Sequence, residues 1–269
     1  MLNAAQTALI HAAGLEETAL QPLHGGDIAD VVKMGDWVLK TSRTQTTSDQ
    51  FHLEAEGLRA LAQRGCPTPT VKYVNAHGMV MPFYSAAAAT SNAYAKLGGH
   101  LATLHLNKAP YESDSLVFYL GALKLDVGPK GLPWHLEFVH HRLAPLLKRA
   151  RARGHRLPWL DLEWLAQQHF PTEGRCLIHG DLWSGNLLST GTDIRLIDPS
   201  CWYAERGLDI AMLTLFGDPP PAFWETYEAM YPIPEAVRQF IPIYQLYYAL
   251  AHVCLFGSAY DALCRNLWA

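Results

Sequence analysis

The run His179-Gly180-Asp181-Leu182-Trp183-Ser184-Gly185-Asn186, followed by Leu196-Ile197-Asp198-Pro199, holds the residue types that phosphoryl transfer requires. An apolar stretch, Cys176-Leu177-Ile178, delivers His179 and Asp181 into a turn, and a second apolar stretch ends at Asp198. Transfer from ATP to a hydroxyl needs a carboxylate to orient the hydroxyl and accept its proton, plus an amide and a carboxylate to hold Mg²⁺. Magnesium prefers a few hard oxygen ligands and keeps several waters, so one Asn and one Asp suffice. Asp181 takes the first role in this reading, Asn186 and Asp198 the second. The bland alternative is a polar turn with an Asx cap. The spacing His-x-Asp-x4-Asn arises by chance in roughly one chain in a hundred of this length, and the second strand-borne Asp makes coincidence rarer.

Such a site also needs a lysine for the phosphates and a glutamate to hold it. Lys40 closes the apolar stretch Trp37-Val38-Leu39. Two acids compete on the helix that follows. At about 100° per residue Phe51, Glu54, Ala55, Leu58, Leu61 and Ala62 share one face, while Glu56 points almost the opposite way. A carboxylate on the buried face requires a partner, so Glu54 is expected to pair with Lys40 and Glu56 to be solvated.

The elements that must position these groups change along the chain. Residues 20–23, 28–32 and 37–39 read as strands, with turns at Gly25-Gly26 and Gly35-Asp36, the latter a tight hairpin. A helix follows over residues 49–64, then strands near 71–74 and 78–81. Beyond residue 82 the pattern is mostly helical: residues 92–106 place Tyr94, Leu97, Leu101 and Leu104 on one face, and 134–153 form another helix. Short strands return at 176–178, 187–188 and 194–197, and helices resume from 208. A sheet-rich lobe followed by a helical lobe carrying a polar hairpin is an α+β arrangement, divided between residues 82 and 91.

Composition narrows the classes. The 269 residues include 21 basic and 25 acidic side chains, a net charge of −4, with no Lys/Arg stripe, which excludes a basic nucleic-acid binder. With 49% hydrophobic residues the chain has ample core material and is not disordered. Five cysteines, without a Cys-x-x-Cys pair, read as buried thiols of a reducing compartment, and a cytoplasmic location is expected. No basic n-region of a secretory signal precedes Lys33, the first basic residue. Residues 239–260 carry no formal charge, yet Gln245, His252, Pro242 and four tyrosines make them a buried helix and not a membrane span. A Walker-type loop and a His-Glu-x-x-His pair are both missing. Gly25-Gly26-Asp27 offers a possible backbone cradle for phosphate.

The motif with its internal Trp183 resembles the catalytic loop of the fructosamine kinase (ketosamine-3-kinase) family, within the aminoglycoside-phosphotransferase-like, protein-kinase-like superfamily. The likeness extends to Phe51-His52-Leu53-Glu54-Ala55-Glu56-Gly57-Leu58, Asp198-Pro199, Arg206, Asp209-Ile210-Ala211-Met212, Leu215-Phe216-Gly217, Tyr244-Gln245-Leu246-Tyr247, and His252 through Phe256-Gly257 and Tyr260. It covers most of the chain. The resemblance implies a bilobal kinase-like fold, with a small antiparallel-sheet ATP-binding lobe at residues 1–83 and a mainly helical catalytic and acceptor lobe at 84–269. It implies an ATP- and Mg²⁺-dependent kinase that phosphorylates a hydroxyl of a small sugar–amine adduct; from composition no nucleic-acid or membrane partner is expected, and the oligomeric state is open, with monomer favoured. Asp181 would be the base and His179 would brace the loop. Asn186 and Asp198 would bind Mg²⁺, Lys40 and Glu54 would position the phosphates above Gly25 and Gly26, and adenine would hang from backbone near Met81, Phe83 and Tyr84. Trp183 and His252 would face the acceptor, while Asp209 and Arg206 would be structural, Asp209 bracing the catalytic loop.

The chain departs from the family pattern. Asp27 stands where Ser is usual, Gly207 replaces the acid beside Arg206, Ala251 replaces the Asn before His252, and residues 111–133 lack an Asn-Thr-Ile-Gly-like segment. These changes touch the acceptor side more than the kinase core. Two other readings stay open: the same chemistry on an aminoglycoside or another hydroxyl metabolite, and a pseudokinase that binds nucleotide without catalysis.

Overall fold

A computed structural model of the protein describes residues 4–23, 29–43, 49–108, 118–125, 131–157, 159–171 and 173–267. Gly25, Gly26 and Asp27, together with much of the 111–133 segment, lie outside the described residues. The first strands are β1 (Leu20–Pro22), β2 (Ala29–Met34), β3 (Trp37–Ser42), β4 (Tyr73–Asn75) and β5 (Gly78–Pro82). They form one antiparallel sheet in the order β1-β2-β3-β5-β4. The β2–β3 hairpin turns through Gly35 at φ 58° and Asp36, with Met34 paired to Trp37.

Period-two alternation separates the two faces of this sheet. Leu39 and Val80 pair on one face and pack with Val32, Met34 and two aliphatic anchors, Leu9 and Ile10, of helix α1 (Ala4–Ala12). Met79 and Met81 occupy the other face with Phe51 and Leu58 of α2 (Gln50–Gln63), and Lys40, paired to Met79, shares that side. Gly78 allows the central strands to approach: a Cβ there would lie 2.4 Å from the Lys40 carbonyl oxygen. The strand expected over 71–74 is found as Tyr73–Asn75: the ladder with β5 begins where the Lys72 amide donates to the Val80 carbonyl, and Val71 lies before it.

The larger part is helical. Helix α3 (Ser91–Leu106) starts at Thr90, whose hydroxyl accepts from the Ala93 amide, a favourable N-cap. The strands β6 (Phe118–Leu120) and β7 (Leu123–Leu125) form a hairpin. The single helix expected over 134–153 is instead α4 (Trp134–Leu136), a π-helical stretch (Glu137–Leu143) and α5 (Ala144–Ala152). Pro145 explains the difference. Its ring removes an N–H and crowds the preceding turn, and widening absorbs this: the Ala144 amide donates to Val139, five residues back. The same register brings Arg142 onto Glu137 at 2.9 Å, and Arg175 meets the other Glu137 oxygen at 2.6 Å.

After α6 (Leu162–Ala166) come β8 (Cys176–Ile178), β9 (Leu187–Ser189), β10 (Ile194–Leu196) and β11 (Trp202–Ala204), paired β8 with β11 and β9 with β10. The chain ends in α7 (Gly207–Leu215), α8 (Pro221–Met230), α9 (Glu235–Arg238), α10 (Ile241–Phe256) and α11 (Asp261–Leu267). Helix α10 is buried on most of its circumference, from Tyr244 to Cys254. Among the described residues no helix is long and apolar enough to cross a membrane. All five cysteines are free and buried.

Candidate active site

Lys40 leaves the middle of β3 on the α2 side and donates to both carboxylate oxygens of Glu54, at 2.7 and 2.8 Å. Glu56 is exposed on the opposite face of α2. A second acid completes the group: Asp198 Oδ1 lies 3.0 Å from the Lys40 ammonium. Burial alone would push the Lys40 ammonium down, and the charges of Asp198 and Glu54 more than reverse this, so its pKa lies above the ordinary lysine value. Lys40 therefore joins the sheet, α2 and the segment after β10 through one cation.

The loop after β8 is held mainly by groups that never touch solvent. Asp209, fully buried near the start of α7, accepts from the His179 amide at 2.8 Å and the Gly180 amide at 2.9 Å. His105 of α3 places Nε2 3.2 Å from the same carboxylate, and its Nδ1 is 2.8 Å from the Tyr227 hydroxyl. Tyr248 of α10 donates to the Gly180 carbonyl at 3.0 Å. Gly180 has φ 79°, and a Cβ there would lie 2.0 Å from the Ser200 carbonyl oxygen, so no other residue fits this turn.

His179 is fixed as one tautomer. Its Nδ1 accepts from the Asp181 amide at 3.3 Å, so Nε2 carries the proton and donates to the Ile197 carbonyl at 3.0 Å. Burial holds its pKa below the ordinary histidine value, and the ring is neutral. Asn186, on a single 3₁₀ turn (Ser184–Asn186), donates through Nδ2 to the Asp181 carbonyl at 2.8 Å and to Asp181 Oδ2 at 3.0 Å. Burial raises the Asp181 carboxyl to about 7, with the Asn186 hydrogen bond opposing and the Asp198 charge adding to the rise.

The donor set fits a hard cation. Both Asn186 amide hydrogens point at Asp181, which turns its Oδ1 away. Asp198 brings a carboxylate on a backbone with φ 54°, a left-handed conformation uncommon outside glycine. An amide oxygen and a carboxylate are oxygen ligands of the kind magnesium takes.

The remaining expected residues fall into three places. Met81 lies on β5, and the Phe83 amide just beyond it donates to the Asp36 carbonyl at 2.7 Å. The Tyr84 ring is covered by the Arg195 guanidinium, 4.3 Å from its centroid. Trp183 lies so close over Gly185 that a Cβ there would meet its ring at 2.3 Å; Phe216 joins it to His252. Arg206 is apart from both groups. It is buried at the N-terminus of α7, donating to Glu173 at 2.7 and 2.8 Å and to the Tyr231 and Pro232 carbonyls. Phe216 and Phe256 lie in segments that resemble the family, each before a glycine at a helix end, but the motif spacing gives neither of them a place in the site.

A family model described as fructosamine kinase matches residues 1–268. The chain belongs to the fructosamine kinase family. A probable ketoamine kinase of Thermus thermophilus is 40% identical over 268 residues, covering 97% of this chain and 98% of that one. Another, from Lactiplantibacillus plantarum, is 31% identical over 257 residues and 90% of each chain. The crystal structure of a fructosamine-3-kinase candidate from Thermobifida fusca superposes with a TM-score of 0.85 at 27% identity, over 99% of this chain and 98% of that one. The ADP-bound aminoglycoside phosphotransferase APH(2'')-Ib, at 14% identity and a TM-score of 0.65 over 99% and 96% of the two chains, shares the fold. This member of the family is accordingly a phosphotransferase with the bilobal α+β kinase-like architecture.

Proposed function

We propose that the protein transfers the γ-phosphoryl group of ATP to a hydroxyl of a ketosamine, a small sugar–amine adduct, with Asp181 as the base. The observation that carries this reading is the state of Asp181: a carboxylate with Oδ2 held by Asn186, raised to about 7 by burial, on a loop held by Asp209 and Tyr248. A base with a pKa near the working pH combines a useful unprotonated fraction with a real affinity for the proton. Asp181 Oδ1 is left to receive the acceptor hydroxyl. As the new O–P bond forms and the bond to the ADP oxygen breaks, the hydroxyl proton passes to that carboxylate. The kinase relatives named for ketoamines supply the acceptor class.

Asn186 and Asp198 would hold Mg²⁺, which supplies positive charge to the phosphate oxygens when bound. Lys40, kept protonated and aimed by Glu54, would bind those same oxygens and release Asp198 to its oxygen-ligand role. Neutral His179 ties the catalytic loop to the strand preceding Asp198 through Ile197, so the base and the Asp198 carboxylate keep one spacing. We place the division between the lobes at residues 83/84, with adenine against the backbone of Met81 to Tyr84. A panel of ketosamines and aminoglycosides, read by acceptor-dependent ADP release, tests the reading: ketosamines are turned over. Turnover confined to aminoglycosides moves the acceptor class, and thermal stabilisation by Mg·ATP without turnover on any acceptor leaves a pseudokinase.

A further inference from the structure

Five aromatic side chains run outward from the catalytic loop in unbroken ring contact. Trp183 meets Phe216 edge-on at 6.0 Å between centroids, and Phe216 meets His252 at 5.2 Å and Tyr260 at 6.5 Å. Phe256 closes the cluster, 5.7 Å from His252 and 6.0 Å from Tyr260. Trp183, Phe216 and Phe256 remain 37%, 44% and 41% exposed, although burying such a ring would stabilise the protein. A contiguous exposed apolar patch of this kind marks a ligand surface.

The local structure tunes that surface electrostatically. Phe216 caps α7 and Phe256 ends α10, and each is followed by a glycine with positive φ, Gly217 at 135° and Gly257 at 81°. Two helix C-termini therefore end in rings of the cluster: the α7 end carries a partial negative charge of about half an electron, while at the α10 end Arg153, donating to the Cys254 carbonyl, offsets it. His252 adds one acceptor. Its Nδ1 donates to the Tyr248 carbonyl at 2.8 Å, which leaves the lone pair on Nε2, and burial keeps the ring neutral. Formal charges lie beside the cluster. Asp218 is exposed just beyond Gly217, Asp261 is paired with His155 at 2.8 Å, and Arg153 donates to the Cys254 carbonyl. Aromatic faces, the α7 terminus and an imidazole acceptor suit an organic cation that still bears an N–H.

We propose that this aromatic wall takes the amine half of the acceptor as a secondary ammonium, its N–H donated to His252 Nε2 and its carbon substituent laid over Phe216 and Phe256. The proposal rests on the ketosamine reading above and adds selectivity to it. Adducts of apolar or cationic amines are preferred, and adducts with a carboxylate beside the amine nitrogen are disfavoured, because the five rings of the wall include no cation to receive that carboxylate.

The test uses the full chain with Mg·ADP, N-methylbenzylammonium as the probe and 3-phenylpropionate as an anion of similar size, with binding followed by calorimetry. The expected result is at least tenfold tighter binding of the ammonium. Phe216→Leu and Phe256→Leu, which keep apolar bulk but lose the π face, each weaken it about tenfold while thermal stabilisation by Mg·ADP confirms the fold. His252→Phe weakens N-methylbenzylammonium and spares benzyltrimethylammonium, which has no N–H to donate. Equal affinity for cation and anion, or unchanged affinity in both leucine variants, overturns the proposal. Turnover separates it from the functional reading. Ketosamines phosphorylated with equal kcat/KM whether or not a carboxylate flanks the nitrogen remove the wall and keep the kinase. A probe that binds as described to an enzyme inert toward every ketosamine keeps the wall and removes the ketosamine.

Discussion

Glu205 gives the sharpest quantitative test of the packing beneath the site. It lies between β11 and α7, only 2% exposed, and its Oε2 has no hydrogen-bond partner. Burial lifts its carboxyl from the ordinary 4.5 to about 8; Lys108, Arg175 and Arg206 oppose the shift and Glu173 adds to it. Between those two values the folded protein holds a proton that the unfolded chain has released. Stability is therefore complete below about 4.5 and falls as pH rises, until the folded group ionises near 8. At 1.36 kcal/mol per pKa unit the full effect is on the order of 4–5 kcal/mol, large against a total stability of about 5–15 kcal/mol. Glu205→Gln keeps the shape of the protonated acid and cannot ionise. Chemical denaturation at pH 5 and pH 8.5 should show the variant close to wild type in acid and several kcal/mol more stable in base. A Glu205→Gln protein that is less stable than wild type at pH 8.5 would show that Glu205 is an ionised partner of the surrounding cations, and would refute the reasoning.

Other consequences are open to simpler assays. Because only ionised Asp181 accepts a proton, kcat/KM for the acceptor should rise with pH through about 7, whereas Mg·ADP affinity measured by calorimetry should not follow that curve. Glu54→Gln should lower kcat/KM for ATP by roughly tenfold or more through loss of a charge-assisted contact, and Glu56→Gln should match wild type in the same steady-state assay. Gly180→Ala forces a Cβ to within 2.0 Å of the Ser200 oxygen on a backbone with φ 79°; thermal melting should register a loss of at least about 3 kcal/mol.

Local patterns were legible in the sequence where one element decided them. The helical face of residues 51–62 separates Glu54 from Glu56, and the fold pairs Lys40 with Glu54. The apolar runs around Asp181 and Asp198 mark β8 and β10, while β11 went unseen because its pairing with β8 is remote in sequence. Helix α1 is short and rich in alanine, so its periodicity is faint, and it is fixed by packing Leu9 and Ile10 on the sheet. The π-helical stretch depends on Pro145 being accommodated inside a packed helix, not breaking it. What could not be read were most of the particular partners that join distant segments. Asp209 with His105, Arg206 with Glu173, and the junction of Trp183, Phe216 and Phe256 join residues that only the folded chain brings together. Tertiary packing, not propensity, selects such partners.

The most direct measurement is phosphorus NMR of a ketosamine incubated with Mg·ATP and either the wild-type enzyme or Asp181→Asn. A new sugar phosphomonoester resonance is expected with wild type. With the variant its rate of appearance should fall at least a hundredfold, while Mg·ADP still binds. No phosphomonoester from wild type, or one formed at an undiminished rate by Asp181→Asn, would contradict the assignment.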